Sequence, residues 1–546
     1  MKRFSKKISM LLSMVLVLGA CGCGGNNDEK IKNDPNTLRI LVWEGGYGSE
    51  WLDNLAEKYE ELNENITVKV DKTPLRDKVT LHWQASRNDN KYDLLFSDGE
   101  IANVAYTDYK IPGEKHAFAE LSDVLDSYAY GETTTKIKDK MIDGAADYFL
   151  AHEENNNSVY CLPAMSTASG WIYNEAVFND CGVEIPRTTD EFYEVCKVLK
   201  EHGYTPFIFS GTTDYYTPRV YDWWIQYNGF DDFRNYFSGK AYDEMEDKYK
   251  YSQDIFQQKG LKYALETFED LFSYKGGETD PECFIDTNGT GYLFMQAQGL
   301  FIDKSNKNTN TGYTYAMMSN GGWFENEMKE FATPGSNPLR LMKTPLLSDI
   351  VYMDKELEKD AQTPVMTEEK LRECVDYLNN KAAKPEGVSD EILEKLDDAY
   401  NRVNLGGFGF TMYAPSTSEK NDLAKDFMRF YYSDIATEII MKSACGGLSP
   451  VNYDYSSVEG FDSLTALQKD VYRSFASDYS KSHTFRDHPL VYKGGLQAIP
   501  MNLYTAFCSV NPADRKTAQQ VYDYNINYFA SGTSWQDLLM MSGIAL

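Results

Sequence analysis

Thr37–Leu62 reads TLRILVWEGGYGSEWLDNLAEKYEEL. Its first six residues, Thr37 to Val42, form an apolar run of strand length, closed by the glycine-rich turn Trp43–Gly48. Such a run, bounded by turn residues, marks a buried strand. Behind the turn, Trp51, Leu52, Leu55, Tyr59 and Leu62 recur at helical spacing and predict an amphipathic helix. Ile66–Val70 then alternates as a second strand, Leu75–Ser86 is helical, and Tyr92–Phe96 is a further buried strand ending at Ser97-Asp98-Gly99. Strand, helix, strand, helix, strand is the order of an open α/β sheet. Ligands of such sheets bind beyond the carboxyl ends of the strands. That rule places Trp43, Glu44, Ser97 and Asp98 on one rim as candidate binding residues.

The pattern resumes further along. Val159–Pro163 and Gly170–Tyr173 are two extended segments, and Thr188-x-x-Glu191 is a capping box that opens a helix through Leu199. Pro206–Phe209 is a short strand, so the α/β rhythm restarts after residue 170. Trp223 and Trp224 are adjacent on a helix, where only one of them can face a cleft squarely. Leu261–Tyr274 reads as helix, Gly299–Ile302 as a strand ending at Asp303, Gly407–Tyr413 as a strand and Asp422–Tyr432 as a helix. Leu346–Val403 is acidic and mostly helical, with no role that its residues disclose.

Lys2, Arg3, Lys6 and Lys7 precede the apolar run Ile8–Leu18, and Leu18-Gly19-Ala20-Cys21 follows with small residues leading into a cysteine. This layout is that of an export leader, residues 1–20, too short to span a bilayer stably. Residues 21–36 are polar and glycine-rich, a flexible tether reaching only ~20 Å as a coil. About 510 residues then remain to fold, too many for one ordinary core and suited to two lobes. The formal charge of −29 becomes about −33 without the four basic residues of the leader. Such a charge disfavours nucleic acid and anionic lipid headgroups and suits a neutral or cationic ligand. Forty tyrosines supply core, surface and any site built from flat faces. The cysteines form no C-x-x-C pair and the histidines no H-E-x-x-H. No structural zinc, other metal or cofactor is therefore expected. Cys181 and Cys196 are open to pairing or to remaining free buried thiols.

YCLPAMSTASGWIYNEAVFNDCGVEIPRTTDEFYEVCKVL, Tyr160–Leu199, resembles the signature of the extracellular solute-binding proteins (family 1) of carbohydrate ABC importers. The resemblance runs through Pro163, the small residues Thr167–Gly170, the pair Tyr173-Asn174, and Pro186 with Thr188. FMQAQGLFID (Phe294–Asp303), GFGFTMYAPSTSEKNDLAKDFMRFYYS (Gly407–Ser433) and ACGGLSPV (Ala444–Val451) look like later blocks of that family in the same order. Cys21 resembles the lipobox cysteine of bacterial lipoproteins, which implies cleavage after residue 20 and lipid on Cys21.

The resemblance implies a periplasmic-binding-protein-like α/β fold. Two lobes, 37–167 with 408–447 and 168–407 with 448–546, would be joined by a hinge of several segments, with crossings near Thr167, Gly407 and Gly447. It further implies a monomer on the outer face of the cytoplasmic membrane, lipid-anchored, that binds a sugar or oligosaccharide and passes it to the membrane permease. A secreted glycoside hydrolase and an oligopeptide-binding lipoprotein are the alternatives, though no G-x-S-x-G elbow or phosphate loop supports an enzyme.

Neutral sugars present C–H faces to aromatic rings and hydroxyls to carboxylates and amides. Trp43, Trp171, Trp223, Trp224 and Trp323 are the stacking candidates, and Asp303 is a hydroxyl partner from the second lobe. Thr167 matches a family position that contacts sugar from the crossover. One stacked sugar face is worth about 1–1.5 kcal/mol, and micromolar affinity needs about 8 kcal/mol. Several rings must therefore converge.

Overall fold

The computed structural model describes residues 34–98, 111, 113–114, 116–142, 158–213, 216–243, 245–273, 283–352, 364–401, 410–476, 488–492, 494–497, 499–509, 511–530 and 532–544. The leader, Cys21, most of the tether and the expected crossing at Gly407 lie outside these residues, as does the side chain of Asp98.

In chain order the strands are β1 (Thr37–Trp43), β2 (Thr67–Thr73), β3 (Leu94–Asp98), β4 (Leu162–Met165), β5 (Ser169–Asn174), β6 (Thr205–Phe207), β7 (Lys240–Asp243), β8 (Lys248–Tyr251), β9 (Tyr315–Gly321), β10 (Leu339–Met342) and β11 (Phe410–Tyr413). They form two main sheets. The first has the order β2-β1-β3-β11-β4 and the second β10-β5-β9-β6, while β7 and β8 make a separate hairpin. In the first sheet β1, β2 and β3 are parallel, and β11 enters antiparallel between β3 and β4. The start of β11 therefore lies at the carboxyl end of β3, with Phe410 opposite Asp98.

Each sheet organises its own core. Leu38, Ile40 and Val42 of β1 are wholly buried with Trp51, Leu52, Leu55 and Tyr59 of the helix Glu50–Leu62. Each such side chain contributes roughly 1.5–3 kcal/mol on leaving water. The second core gathers around Trp171 of β5, Phe207 of β6 and the helices Thr217–Asn228 and Lys259–Phe272. The molecule is thus two α/β lobes. The chain first passes between them from β4 to β5 through Ser166–Ala168. It returns to the first lobe at β11.

Three sequence readings change, and one strand is added. Leu448, Val451, Tyr455, Phe461 and Tyr472 pack in the first core, so that lobe runs well past residue 447. Gly299–Ile302 is not a strand, because Gly299 to Phe301 complete the helix Phe294–Phe301. A short apolar run does not distinguish strand from buried helix. The strand at this point of the lobe is β9, whose YAMMSNG carries no β-branched residue and gives no strand signal. Thr188 does precede the helix Thr189–Glu201, but its hydroxyl makes no cap bond. Glu191 instead accepts from the backbone N–H and guanidinium of Arg187.

The acidic region 346–403 forms a small core of its own, with Leu346, Ile350, Leu371, Val375, Leu393 and Leu396 buried. It is fastened to the second lobe by ion pairs of Arg187 with Asp376 and Arg372 with Asp190. Cys181 and Cys196 are both buried and free.

Candidate functional site

The turn that ends β1 meets the turn that ends β9. Glu44 N–H donates to the Thr73 carbonyl at 2.8 Å, and the Glu44 carboxylate accepts from the Ser49 hydroxyl at 2.9 Å. Glu44 thus holds the shape of the glycine turn, and Ser49, at the head of the following helix, uses its hydroxyl on Glu44 rather than on that helix. Tyr47 comes from the same turn, and Trp323 stands just after β9.

Four rings run across the junction. Trp43 stacks on Phe410 with centroids 6.1 Å apart and planes 21° from parallel. Tyr47 meets Phe410 edge-on at 6.3 Å and Trp323 edge-on at 6.3 Å. Trp43 and Trp323, 280 positions apart in the chain, therefore belong to one aromatic frame. Trp43 is only partly buried and also walls a groove of about 410 Å³. Pro74 and Leu75 form another side of the groove, and the helix Arg76–Trp83 contributes Arg76, Asp77, Lys78 and Leu81.

Beside the frame, Asn326 donates its side-chain amide to the Gly46 carbonyl at 2.6 Å, joining the second lobe to the first. A Cβ added to Gly46 would stand 2.9 Å from the Trp323 Cβ and 3.2 Å from Glu327 Oε1, so that carboxyl lies against the turn. Its other oxygen accepts from Gln298 at 2.7 Å. Loss of water pushes the Glu327 carboxyl up to about 7, against the small opposing effect of the Gln298 bond. Burial, with the nearby Glu327, also raises the Tyr47 hydroxyl. Sequence reading missed Tyr47, Gln298, Asn326 and Glu327. Only the glycine turn and the Trp323 neighbourhood hinted at them, because their meeting needs both lobes.

The crossings lie directly behind. Thr167 donates its hydroxyl to the Gly446 carbonyl at 2.7 Å, and Ser166 and Leu448 exchange two backbone bonds of 2.9 Å. Thr167 is fully buried, so its hydroxyl ties two crossing segments together. Ser97 is also fully buried, with a hydroxyl that has no hydrogen-bond partner among the described residues.

The structure moves four candidates away from the site. Trp171 is enclosed by Phe192, Phe207, Tyr216, Trp223 and Phe272. Trp223 and Trp224 are both fully buried, with their indole N–H groups given to the Pro345 carbonyl and Gln258. Neither tryptophan faces a cleft, since the helix Thr217–Asn228 is surrounded on both sides. Asp303 stands just past the helix Phe294–Phe301, and the hydrogen bonds of its carboxylate are local ones, from the backbone and hydroxyl of Ser305.

Residues 45–277 match the profile of the bacterial extracellular solute-binding proteins. That stretch is similar to this family. Thirty-seven per cent identity over 57 residues links the chain to the multiple sugar-binding protein of Streptococcus mutans, across 10% of this chain and 14% of that protein. The solute receptor AcbH, described as exclusive for β-D-galactopyranose, superposes with a TM-score of 0.53 at 11% identity, over 91% of this chain and 99% of its own. A probable secreted solute-binding lipoprotein from Streptomyces coelicolor gives 0.53 at 15%, over 90% and 99%. The substrate-binding protein Lmo0181 of Listeria monocytogenes, solved with cycloalternan, gives 0.51 at 12%, over 93% and 99%. At these identities the likeness is one of fold, that of two-lobed solute receptors. The family consists of binding proteins, not enzymes. Among the described residues no helix is long and apolar enough to cross a membrane.

Proposed function

We propose that this chain captures a sugar or oligosaccharide between its lobes and delivers it unaltered to the permease of an ABC importer, from the outer face of the membrane, where lipid on Cys21 tethers it. The aromatic frame Trp43–Phe410–Tyr47–Trp323 beside an open groove carries this reading. Trp43, the partly buried ring of this frame that lines the groove, offers the flat face that sugar C–H groups require. Support also comes from the family match and from sugar-binding relatives of the same fold.

The tether keeps the cleft near the membrane, and ligand contacts made by both lobes favour the form in which they meet. No bond of the sugar is broken by this protein. Lipid attachment is tested separately, by a mass shift that disappears in Cys21→Ser.

Calorimetry against galactose, raffinose and xylo- and chito-oligosaccharides tests the ligand. One of these sugars binds without being cleaved, and Trp43→Ala weakens that binding by more than tenfold. A change below twofold removes Trp43 from the site, and cleavage of the glycan replaces the receptor with a hydrolase. Small-angle scattering with the sugar that binds shows compaction; an unchanged envelope rejects closure.

A further inference from the structure

Glu327 has no place in stacking a sugar, yet it is the carboxyl set where the two lobes touch. It stands one helical turn after Trp323, its backbone N–H bonded to the Trp323 carbonyl at 3.0 Å. Oε1 lies against Gly46 of the first lobe and Oε2 accepts from Gln298 of the helix Phe294–Phe301. Next to it, Asn326 makes the interlobe bond to Gly46.

Among the described residues, none of the interactions acting on the Glu327 carboxyl comes from a cation. The ionisable group facing Glu327 from the opposite turn is Tyr47, a neutral hydroxyl that burial keeps protonated. On its own segment, Glu325 is occupied by the Thr465 hydroxyl and Gly335 N–H, and Lys329 acts toward Cys445 together with Glu325 and Glu50. Gln298 is uncharged. It belongs to the same lobe as Glu327, so bringing the lobes together takes water from a carboxylate and gives it no new donor from Gly46. An ionised carboxylate is poorly served by such an exchange, whereas a protonated one loses far less.

We propose that the lobe-closed arrangement holds one more proton than the open one, on Glu327, so that closure, and with it ligand capture, strengthens as pH falls. This rests on the proposed closure about the crossings. The direction follows from linkage. In the open form the carboxyl has more water and titrates lower, whereas in this contact burial pushes it up to about 7. Acidification through 7 protonates the closed form first and favours it, and the gain ends once the open form is protonated as well. Between pH 8 and pH 6 the closed-to-open ratio rises by up to about tenfold.

The test is small-angle scattering of the intact, ligand-free chain at pH 8 and pH 6, with Glu327→Gln alongside. Wild type becomes more compact at pH 6, while Glu327→Gln, neutral at both values, has the same envelope at both. An unchanged wild-type envelope overturns the proposal, even if the variant does not fold. So does a pH response retained in Glu327→Gln, which assigns the proton elsewhere. Carbon-13 carboxyl NMR of glutamate-labelled wild type adds an independent reading: a glutamate resonance with a midpoint near neutrality is expected, and its absence rejects the assignment. Failure of every sugar to bind sinks the receptor reading and leaves the proton linkage standing. Sugar-induced compaction with no pH effect does the reverse.

Discussion

Eight tryptophans share this chain, and their neighbours divide their work. Trp171 fills the middle of the second core among five aromatic rings, while Trp43 has one face on Phe410 and lines the groove. Truncation should separate these roles. Trp171→Ala leaves a large cavity and is expected to cost about 3–5 kcal/mol, read as a lowered urea midpoint. Trp43→Ala, lying at the edge of the core, is expected to leave that midpoint within about 1 kcal/mol of wild type while losing sugar. Equal destabilisation by the two would assign Trp43 to the core. Trp43 was legible as a site candidate because it follows a strand in a glycine loop, where packing asks for little. Trp171, Trp223 and Trp224 were not legible, since a tryptophan in a strand or helix carries no mark of which side is covered.

At the scale of elements, the crossings are set by close backbone approach. Gly446 has φ of +92°, and a Cβ there would stand 2.5 Å from the Gly322 carbonyl oxygen. Gly446→Ala therefore meets both left-handed strain and a backbone clash, and is expected to cost more than 1 kcal/mol; a thermal melt indistinguishable from wild type would contradict this. The pair Gly446-Gly447 was visible in the sequence as a hinge candidate, but its partner Gly322 was not, being 124 positions away. A second element-scale dependence is the buried pair Arg219–Asp222, 3.1 Å apart on the helix Thr217–Asn228. Arg219 also donates to the Ser169 carbonyl at 2.9 Å, fastening this helix to the start of β5. Arg219→Met strands a buried carboxylate and is expected to cost about 3–5 kcal/mol by denaturant titration. Asp222 and Arg219 read from sequence only as charges on a helix, and their burial depends on what packs over them.

Across the whole molecule, cohesion comes from the two large cores and from hydrogen bonds at the crossings. Cys181, Cys196, Cys374, Cys445 and Cys508 are free thiols, all but Cys445 buried. Dithiothreitol is accordingly expected to leave the melting temperature unchanged, and a fall of several degrees would reveal a bridge. The acidic region adds a separate small core on the second lobe rather than an extension of either sheet. Its helices could be read from their spacing, but its attachment through Arg187–Asp376 and Arg372–Asp190 could not.

By itself, the amino-acid sequence determined the α/β alternation and the position of β1 and its turn, because these depend on hydrophobic period and on residues adjacent in the chain. The tertiary structure decided which tryptophans are buried, where the first lobe ends, that β9 supplies the second half of the aromatic frame, and that a carboxyl sits between the lobes. Those outcomes depend on burial and on pairs hundreds of residues apart, and neither quantity exists until the chain has folded.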